Sequence, residues 1–344
     1  MKRAIAIGFL TILWVLGFGC FGPTQREMIS PDRFETFADW CRHRDSLTRE
    51  AQYTVDKLLE KFGRQGCSRV EGRLTNLTEL RLWQEEIVDV SPLASLTHLA
   101  ELDLWGNQIV DVAPLANLTN LTELNLDDNQ ILDASPLANL TNLTNLYLDD
   151  NQIVDVAPLA RLTKLTELSL ETNQIADVAP LARLTKLTEL ILNDNQIADV
   201  APLVNLINLT ELILNDNQIV DIFPLARLTN LTRFDLRFNQ IADVAALARL
   251  TKLTWLELDD NQVADISPLV NLTHLTDLFI TGNRIVDVAP LVGLTNLIRL
   301  YLNDNQIADV SPLANLTNLS ELELSDNPLE NCTCPVQPET ICRF

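Results

Sequence analysis

Between Leu121 and Leu143 the apolar residues fall in two rhythms. Leu124 and Leu126 stand two apart, with polar Glu123, Asn125 and Asp127 alternating beside them. Such alternation predicts a short strand with one buried face. From Ile131 onward the inward positions come every third residue, at Ile131, Ala134, Leu137 and Leu140. Threes suit a tight helical or extended return segment. One such stretch therefore predicts one coil, with a strand on one side and a return on the other.

The pattern then restarts. Asn107, Asn129, Asn151, Asn173, Asn195, Asn217, Asn239, Asn261, Asn283, Asn305 and Asn327 recur at intervals of 22 residues, and Glu85 holds the same position one period earlier. So strict a period over so many copies specifies a solenoid. The asparagine sits where the chain must leave the strand. Its amide carries donors and an acceptor that can satisfy turn backbone out of reach of a neighbouring strand. Stacked on its equivalents, it should form a hydrogen-bonded column. Pro114, Pro136, Pro158, Pro180, Pro202, Pro224, Pro268, Pro290 and Pro312 recur in register, interrupted by Ala246. Proline fits the first position of a short helix, where its missing N–H is not needed. Three residues before each proline comes an aspartate (Asp111, Asp133, Asp155 and their equivalents), a turn former that accepts a local N–H.

No coil can bury its leucines alone. Each fully buried Leu or Ile contributes about 1.5–3 kcal/mol, so stability comes from stacking, and both ends need covers. Ser30-Pro31 is expected to open a helical stretch with Phe34, Phe37 and Trp40 on one side. Ser46 is expected to open a second, carrying Ala51, Val55, Leu58, Leu59 and Phe62 and ending at Gly63. Asn327-Pro328 through Phe344 would close the other end.

The unit L-T-x-L-T-x-L-x-L-x-x-N-Q-I-x-D-V-x-P-L-A-x, from about Arg73 to Pro328, closely resembles the repeat of internalin-class bacterial leucine-rich-repeat proteins. The flanks, with Trp40-Cys41 and Cys67 before the repeats and Cys334-Pro335-Val336 to Cys342-Arg343-Phe344 after them, look more like secreted cyanobacterial leucine-rich-repeat proteins. The resemblance implies an α/β solenoid: a horseshoe with a parallel β-sheet on its concave face, a helical N-terminal cap and a disulfide C-terminal cap. It also implies protein recognition, though not host invasion.

The chain has 344 residues, is 47% hydrophobic and carries a formal net charge of -22. That acidity repels nucleic-acid phosphate and anionic lipid headgroups and favours a protein partner with a basic surface. Lys2 and Arg3 precede an apolar run from Ala4 to Leu16 and then Gly17-Phe18-Gly19-Cys20, the plan of a bacterial secretory signal. Cys20 stands where bacterial lipoproteins carry their acylated cysteine, with Gly17 and Phe18 departing from the usual residues. The expected organisation is a signal peptide over 1–19, a tether over 20–29, the helical cap over 30–72, the solenoid of about 12 coils over 73–327, and the C-terminal cap over 328–344. The protein is expected to be exported, either held at the cell envelope by lipid or secreted, and to be monomeric.

An oxidising compartment suits the 6 cysteines, none of which lies inside the repeats. Cys41–Cys67 and Cys334–Cys342 are the expected bridges, with Cys332 left over or replacing Cys334. No catalytic spacing and no cofactor motif stands out. His98 and His274 share the column of Asn120 and Asn142, on a turn away from the concave face, where solvation is expected. Paired carboxylates such as Asp149-Asp150 and Asp259-Asp260 belong to the repeat and offer at most weak calcium binding.

On the strand face, Glu101, Glu123, Glu167, Glu189, Glu211 and Glu321 form one acidic column. Two stretches depart from it. Trp83 and Trp105 occupy equivalent positions in adjacent coils, and at a strand spacing of about 4.8 Å their indoles should touch. Farther along, Arg233, Arg237, Phe238, Trp255, Phe279, Arg299 and Tyr301 gather in four consecutive coils. Exposed aromatics with arginine are the composition of protein-binding hot spots. The function expected is non-catalytic protein binding through this face. The alternatives are a structural spacer without a ligand, or a recognition or adhesion lipoprotein that assists an enzyme.

Overall fold

The computed structural model describes residues 34–344 apart from Gln65 and Cys332. The signal peptide, the Cys20 attachment site, the expected helix start at Ser30-Pro31 and the fate of Cys332 all lie outside the described residues.

Every coil contributes one short strand, and the strands pair in parallel, in chain order, as a single thirteen-stranded sheet. The first seven are β1 (Glu79–Arg81), β2 (Glu101–Asp103), β3 (Glu123–Asn125), β4 (Asn145–Tyr147), β5 (Glu167–Ser169), β6 (Glu189–Ile191) and β7 (Glu211–Ile213). They continue as β8 (Arg233–Asp235), β9 (Trp255–Glu257), β10 (Asp277–Phe279), β11 (Arg299–Tyr301), β12 (Glu321–Glu323) and β13 (Cys342–Arg343). Registers follow the repeat: Leu124 pairs with Leu102 and with Leu146. Equivalent side chains therefore stack in straight columns across the sheet.

The return arm is a 3-10 segment, such as Ser135–Asn139, with proline in its first turn. Its bonds run from Leu137 N–H to the Ala134 carbonyl, from Leu140 to Leu137 and from Leu143 to Leu140. A three-residue turn keeps every third side chain on one face, which is why the threes in the sequence all point inward. Leu121, Leu124, Leu126, Ile131, Ala134, Leu137 and Leu140 are all buried, and one continuous apolar core runs from Phe37 to Val336.

The polar residues of the repeat serve the backbone. Asn195 Nδ2 donates to the carbonyls of Leu192 (3.2 Å) and Asn193 (3.0 Å) in its own turn and of Leu170 (2.9 Å) one coil earlier. Its Oδ1 accepts the Ile175 N–H at 2.9 Å. Each asparagine thus fastens two coils. Asp111 Oδ1 accepts the Ala113 N–H at 2.8 Å, as a turn former should. A second ladder lies at the opposite end of the strand, where Asn142 Nδ2 donates to the Thr119 carbonyl. His274 takes this role, its Nδ1 lying 2.9 Å from the Thr251 carbonyl, so this exposed ring has a backbone partner as well as solvent.

Between strand and asparagine the chain passes through a left-handed residue in coil after coil: Asp128, Asp150, Asp194, Asp216, Asp260 and Asp304 all have φ near 50°. Aspartate tolerates this region better than most residues, and glycine occupies it freely at Gly106 (φ 69°) and Gly282 (φ 64°).

The N-terminal cover differs from the sequence expectation in three ways. Its first helix, α1 (Phe37–Arg42), begins after Thr36, because Thr36 and Asp39 form a reciprocal capping box. The second, α2 (Arg49–Phe62), is capped by Thr48, with Ser46 ending a short 3-10 turn; it does stop at Gly63. A third helix, α3 (Cys67–Leu74), was not foreseen. Only Val70 and Leu74 of α3 are buried, so its apolar signal is weak. Cys41–Cys67 ties α1 to α3. The buried Thr54 hydroxyl donates to the Asp89 carbonyl (2.7 Å), and Lys57 pairs with Glu85 at 2.6 Å. Glu85 stands in the asparagine column because the structure before it is a helix carrying a lysine, not another turn. At the far end Cys334 and Val336 cover the last coil, Cys334–Cys342 closes the cap, and β13 extends the sheet by one strand.

Candidate functional site

Three outward columns make up the sheet face. They are exemplified by Glu123, Asn125 and Asp127, with Leu124 and Leu126 pointing into the core. The core positions hardly vary, so substitutions that the repeat does not require collect in these columns.

At the N-terminal end the two tryptophans meet as expected: the Trp83 and Trp105 ring centroids are 6.3 Å apart and both rings are exposed. Acid follows. Asp127 Oδ1 accepts the Asp149 N–H at 2.7 Å, and Asp149 Oδ1 accepts the Glu171 N–H at 2.7 Å and the Ser169 hydroxyl at 2.6 Å. Asp259 Oδ1 likewise accepts the Thr281 N–H at 2.6 Å. Each of these carboxylates uses its Oδ1 to hold the next coil. Among the described residues no group of three or more His, Cys, Asp or Glu side chains is gathered as a metal site.

Burial, and then the neighbouring Asp149, push the Asp127 carboxyl up to about 7. Burial likewise raises Asp149 to about 6, and Glu257 and Asp259, beside Asp235 and Asp260, to about 7 and about 6. The folded chain therefore holds protons that the unfolded chain, titrating near 4, has released. Stability should fall as pH rises from about 4 to about 7. Thermal melts are expected to give a higher Tm at pH 5 than at pH 8. Asp127→Asn should reduce that difference and gain about 1–2 kcal/mol at pH 8, because it removes one buried charge while Asp149, Glu257 and Asp259 go on titrating. A Tm independent of pH in both proteins would refute this.

The C-terminal half brings aromatics from two columns together. The Arg233 guanidinium lies 4.0 Å from the Trp255 ring centroid. Trp255 lies 5.9 Å from Phe279, and Phe279 meets Tyr301 edge to face at 4.9 Å. The Arg299 guanidinium lies 5.7 Å from the Phe279 ring centroid while pairing with Asp277. Arg233 also pairs with Glu211 at 3.1 Å. These five side chains form one strip running from β8 to β11.

Two residues grouped with them by sequence fall elsewhere. Arg237 is half-buried and turned onto the buried carboxylates of Asp235 (2.7 Å) and Glu257, which holds its guanidinium pKa up; its charge is spent within the protein. Phe238 lies beyond the strand at the left-handed turn position (φ 52°), exposed and in ring contact with no other aromatic among the described residues. A bulky side chain there is unfavourable, since neighbouring coils place aspartate at that point. Sequence reasoning passed over Tyr147, which is in the column of Phe279, and Ile191 and Ile213 in the same column. It also passed over Arg343, brought beside Glu323 at 2.7 Å by the unforeseen β13. The column position alone would have found the first three.

The family model for leucine-rich repeats (2 copies) matches residues 97–205 in overlapping windows, then 207–249, 251–293 and 295–334. Among solved structures, the internalin InlF of Listeria monocytogenes is similar over 81% of this chain and 90% of its own, with 35% identity and a TM-score of 0.71. The chain is a leucine-rich-repeat protein of the internalin class. A plant peptide hormone receptor, RGFR1, solved in complex with RGF2, shares the fold at 22% identity over 75% of this chain and 49% of its own (TM-score 0.65). So does the functional domain of InlJ from Listeria monocytogenes, at 24% identity over 87% of this chain and 72% of its own (TM-score 0.55). No curated protein matches. The InlJ domain includes a cysteine ladder; this internalin-class chain fastens its coils with asparagine and has no cysteine between Cys67 and Cys332. Its fold is a protein-interaction scaffold, and the two disulfides among the described residues suit an oxidising compartment. Among the described residues no helix is long and apolar enough to cross a membrane.

Proposed function

We propose that this internalin-class protein is a non-catalytic binding module of the bacterial cell envelope that grips another protein with its concave sheet face. The observation that supports this most directly is the continuous Arg233–Trp255–Phe279–Tyr301 strip with Arg299 on its flank. Nothing in the repeat needs aromatics there, since most equivalent positions in other coils hold Glu, Asp, Asn or Ser. Half-buried rings braced by arginine are preorganised, so little side-chain entropy is lost when a partner covers them. Truncating such anchors weakens protein interfaces by about 2 kcal/mol or more each.

The test is capture of envelope proteins by the mature protein, repeated with Trp255, Phe279 and Tyr301 changed to alanine. At least a hundredfold loss of affinity is expected, with the melting curve little changed. Partners retained at equal affinity would place the contact elsewhere, and absence of any specific partner would favour a spacer. Attachment to the envelope is assigned to an acylated Cys20. Palmitate labelling that disappears in Cys20→Ala supports it, and labelling that persists in that variant removes it.

A further inference from the structure

The N-terminal end of the sheet carries a feature distinct from the aromatic–arginine strip. Trp83 is 50% exposed and Trp105 36% exposed, their ring planes tilted by 38°. Trp83 walls a depression of about 200 Å³ that is also lined by Glu79, Arg81, Glu101, Asp103 and Glu123. No residue of α1, α2 or α3 lines it, so sealing the cap does not account for it. Arg81 is committed to Glu79 at 2.5 Å. Glu101, Asp103 and Glu123 have no ion pair with any described residue. Burial and repulsion from Glu101 and Glu167 hold the Glu123 carboxyl above its usual range. The sheet columns from Glu101 to Asn215 contain neither lysine nor arginine.

An exposed indole face attracts a cation, and a planar guanidinium stacks on it better than a compact ammonium does. Carboxylates beside that face supply forked acceptors. A neutral ring, such as a sugar, would gain stacking but leave the three carboxylates without a counter-charge.

We propose that Trp83 and Trp105, with Glu101, Asp103 and Glu123, form a subsite that receives an arginine side chain of the partner protein. The proposal rests on the reading that the sheet face binds protein, and it adds a chemical requirement on the partner's sequence. The acidic tract beyond the subsite would draw a basic segment toward it.

The test is titration of the whole protein with blocked hexaarginine, its affinity read by calorimetry in every variant and by tryptophan fluorescence where Trp83 and Trp105 are present, with hexalysine and a neutral hexasaccharide as comparisons. Saturable quenching by hexaarginine is expected, weaker with hexalysine and weakened further by salt. A Trp83→Ala, Trp105→Ala double variant should bind at least tenfold more weakly. The near-isosteric Glu101→Gln, Glu123→Gln variant should do the same with both indoles still present, which guards against a tryptophan variant that misfolds. Hexaarginine affinity unchanged by the double tryptophan substitution would reduce the contact to general attraction by the acidic tract and overturn the subsite. So would the absence of saturation, or quenching by the saccharide in its place. The strip at Trp255, Phe279 and Tyr301 is judged separately by partner capture, so either result can fail while the other stands.

Discussion

Asn195→Ala should cost about 1–3 kcal/mol, the largest stability loss expected from a single side chain of the turn. Removing the amide orphans the Ile175 N–H in a turn sealed between coils, while the carbonyls of Leu170, Leu192 and Asn193 each lose one donor and keep another, from Asn173, Asn217 and the Thr172 N–H. Asn195 is only 9% exposed, so water reaches these groups poorly. The loss falls on two coils at once. In a quasi-one-dimensional molecule the coupling between neighbours is what keeps unfolding cooperative. Chemical denaturation should therefore show a lower midpoint and a broader, less cooperative transition, and hydrogen exchange should quicken first at Ile175. A cost below about 1 kcal/mol, with the transition still sharp, would mean that the column is ornamental and the leucines suffice.

Opening the Cys41–Cys67 bridge, by Cys41→Ser with Cys67→Ser, is expected to destabilise the N-terminal cover by about 3 kcal/mol. The bridge closes a separation of 26 residues and joins two short helices, α1 and α3, neither of which would persist alone. Beneath them lies the open end of the core at Leu80, Leu82 and Ile87. Loss of the cover should expose that end, seen as binding of a hydrophobic dye and as loss of Trp40 burial, while the central coils stay protected from exchange. Equal melting of the reduced and oxidised proteins would show that Thr54, the Lys57–Glu85 pair and helix packing hold the cover without it.

The acidity gains a physical meaning from the turn and sheet columns. Asp111 and its equivalents cap the return arm, Asp128 and its equivalents occupy a left-handed residue, and Asp127, Asp149 and Asp259 hold the next coil's backbone. Much of the negative charge thus follows from folding requirements. What remains near Trp83, where Arg81 pairs with Glu79 and leaves Glu101, Asp103 and Glu123 without an ion pair, is the portion that a partner can use.

The repeat itself was legible from residue order alone. Every coil meets the same surroundings, one coil above and one below, so a side chain's role is fixed by its place in the period. The sheet, the buried asparagines and the prolines at the return arm all follow from that regularity. So does the touching of Trp83 with Trp105 and of Phe279 with Tyr301, because members of one column must lie a strand spacing apart. Where the period stops, so did the reading: α3, the start of α1 after Thr36 and the added strand β13 depend on capping hydrogen bonds and on how the chain ends fold back. Contacts between columns were equally out of reach. Trp255 leans from its own column to meet Phe279, while Arg237 turns away from solvent toward Asp235 and Glu257. Sequence fixes where each backbone position stands, but long side chains choose among rotamers according to the charge and volume of neighbours on adjacent strands, and only the assembled sheet supplies those neighbours.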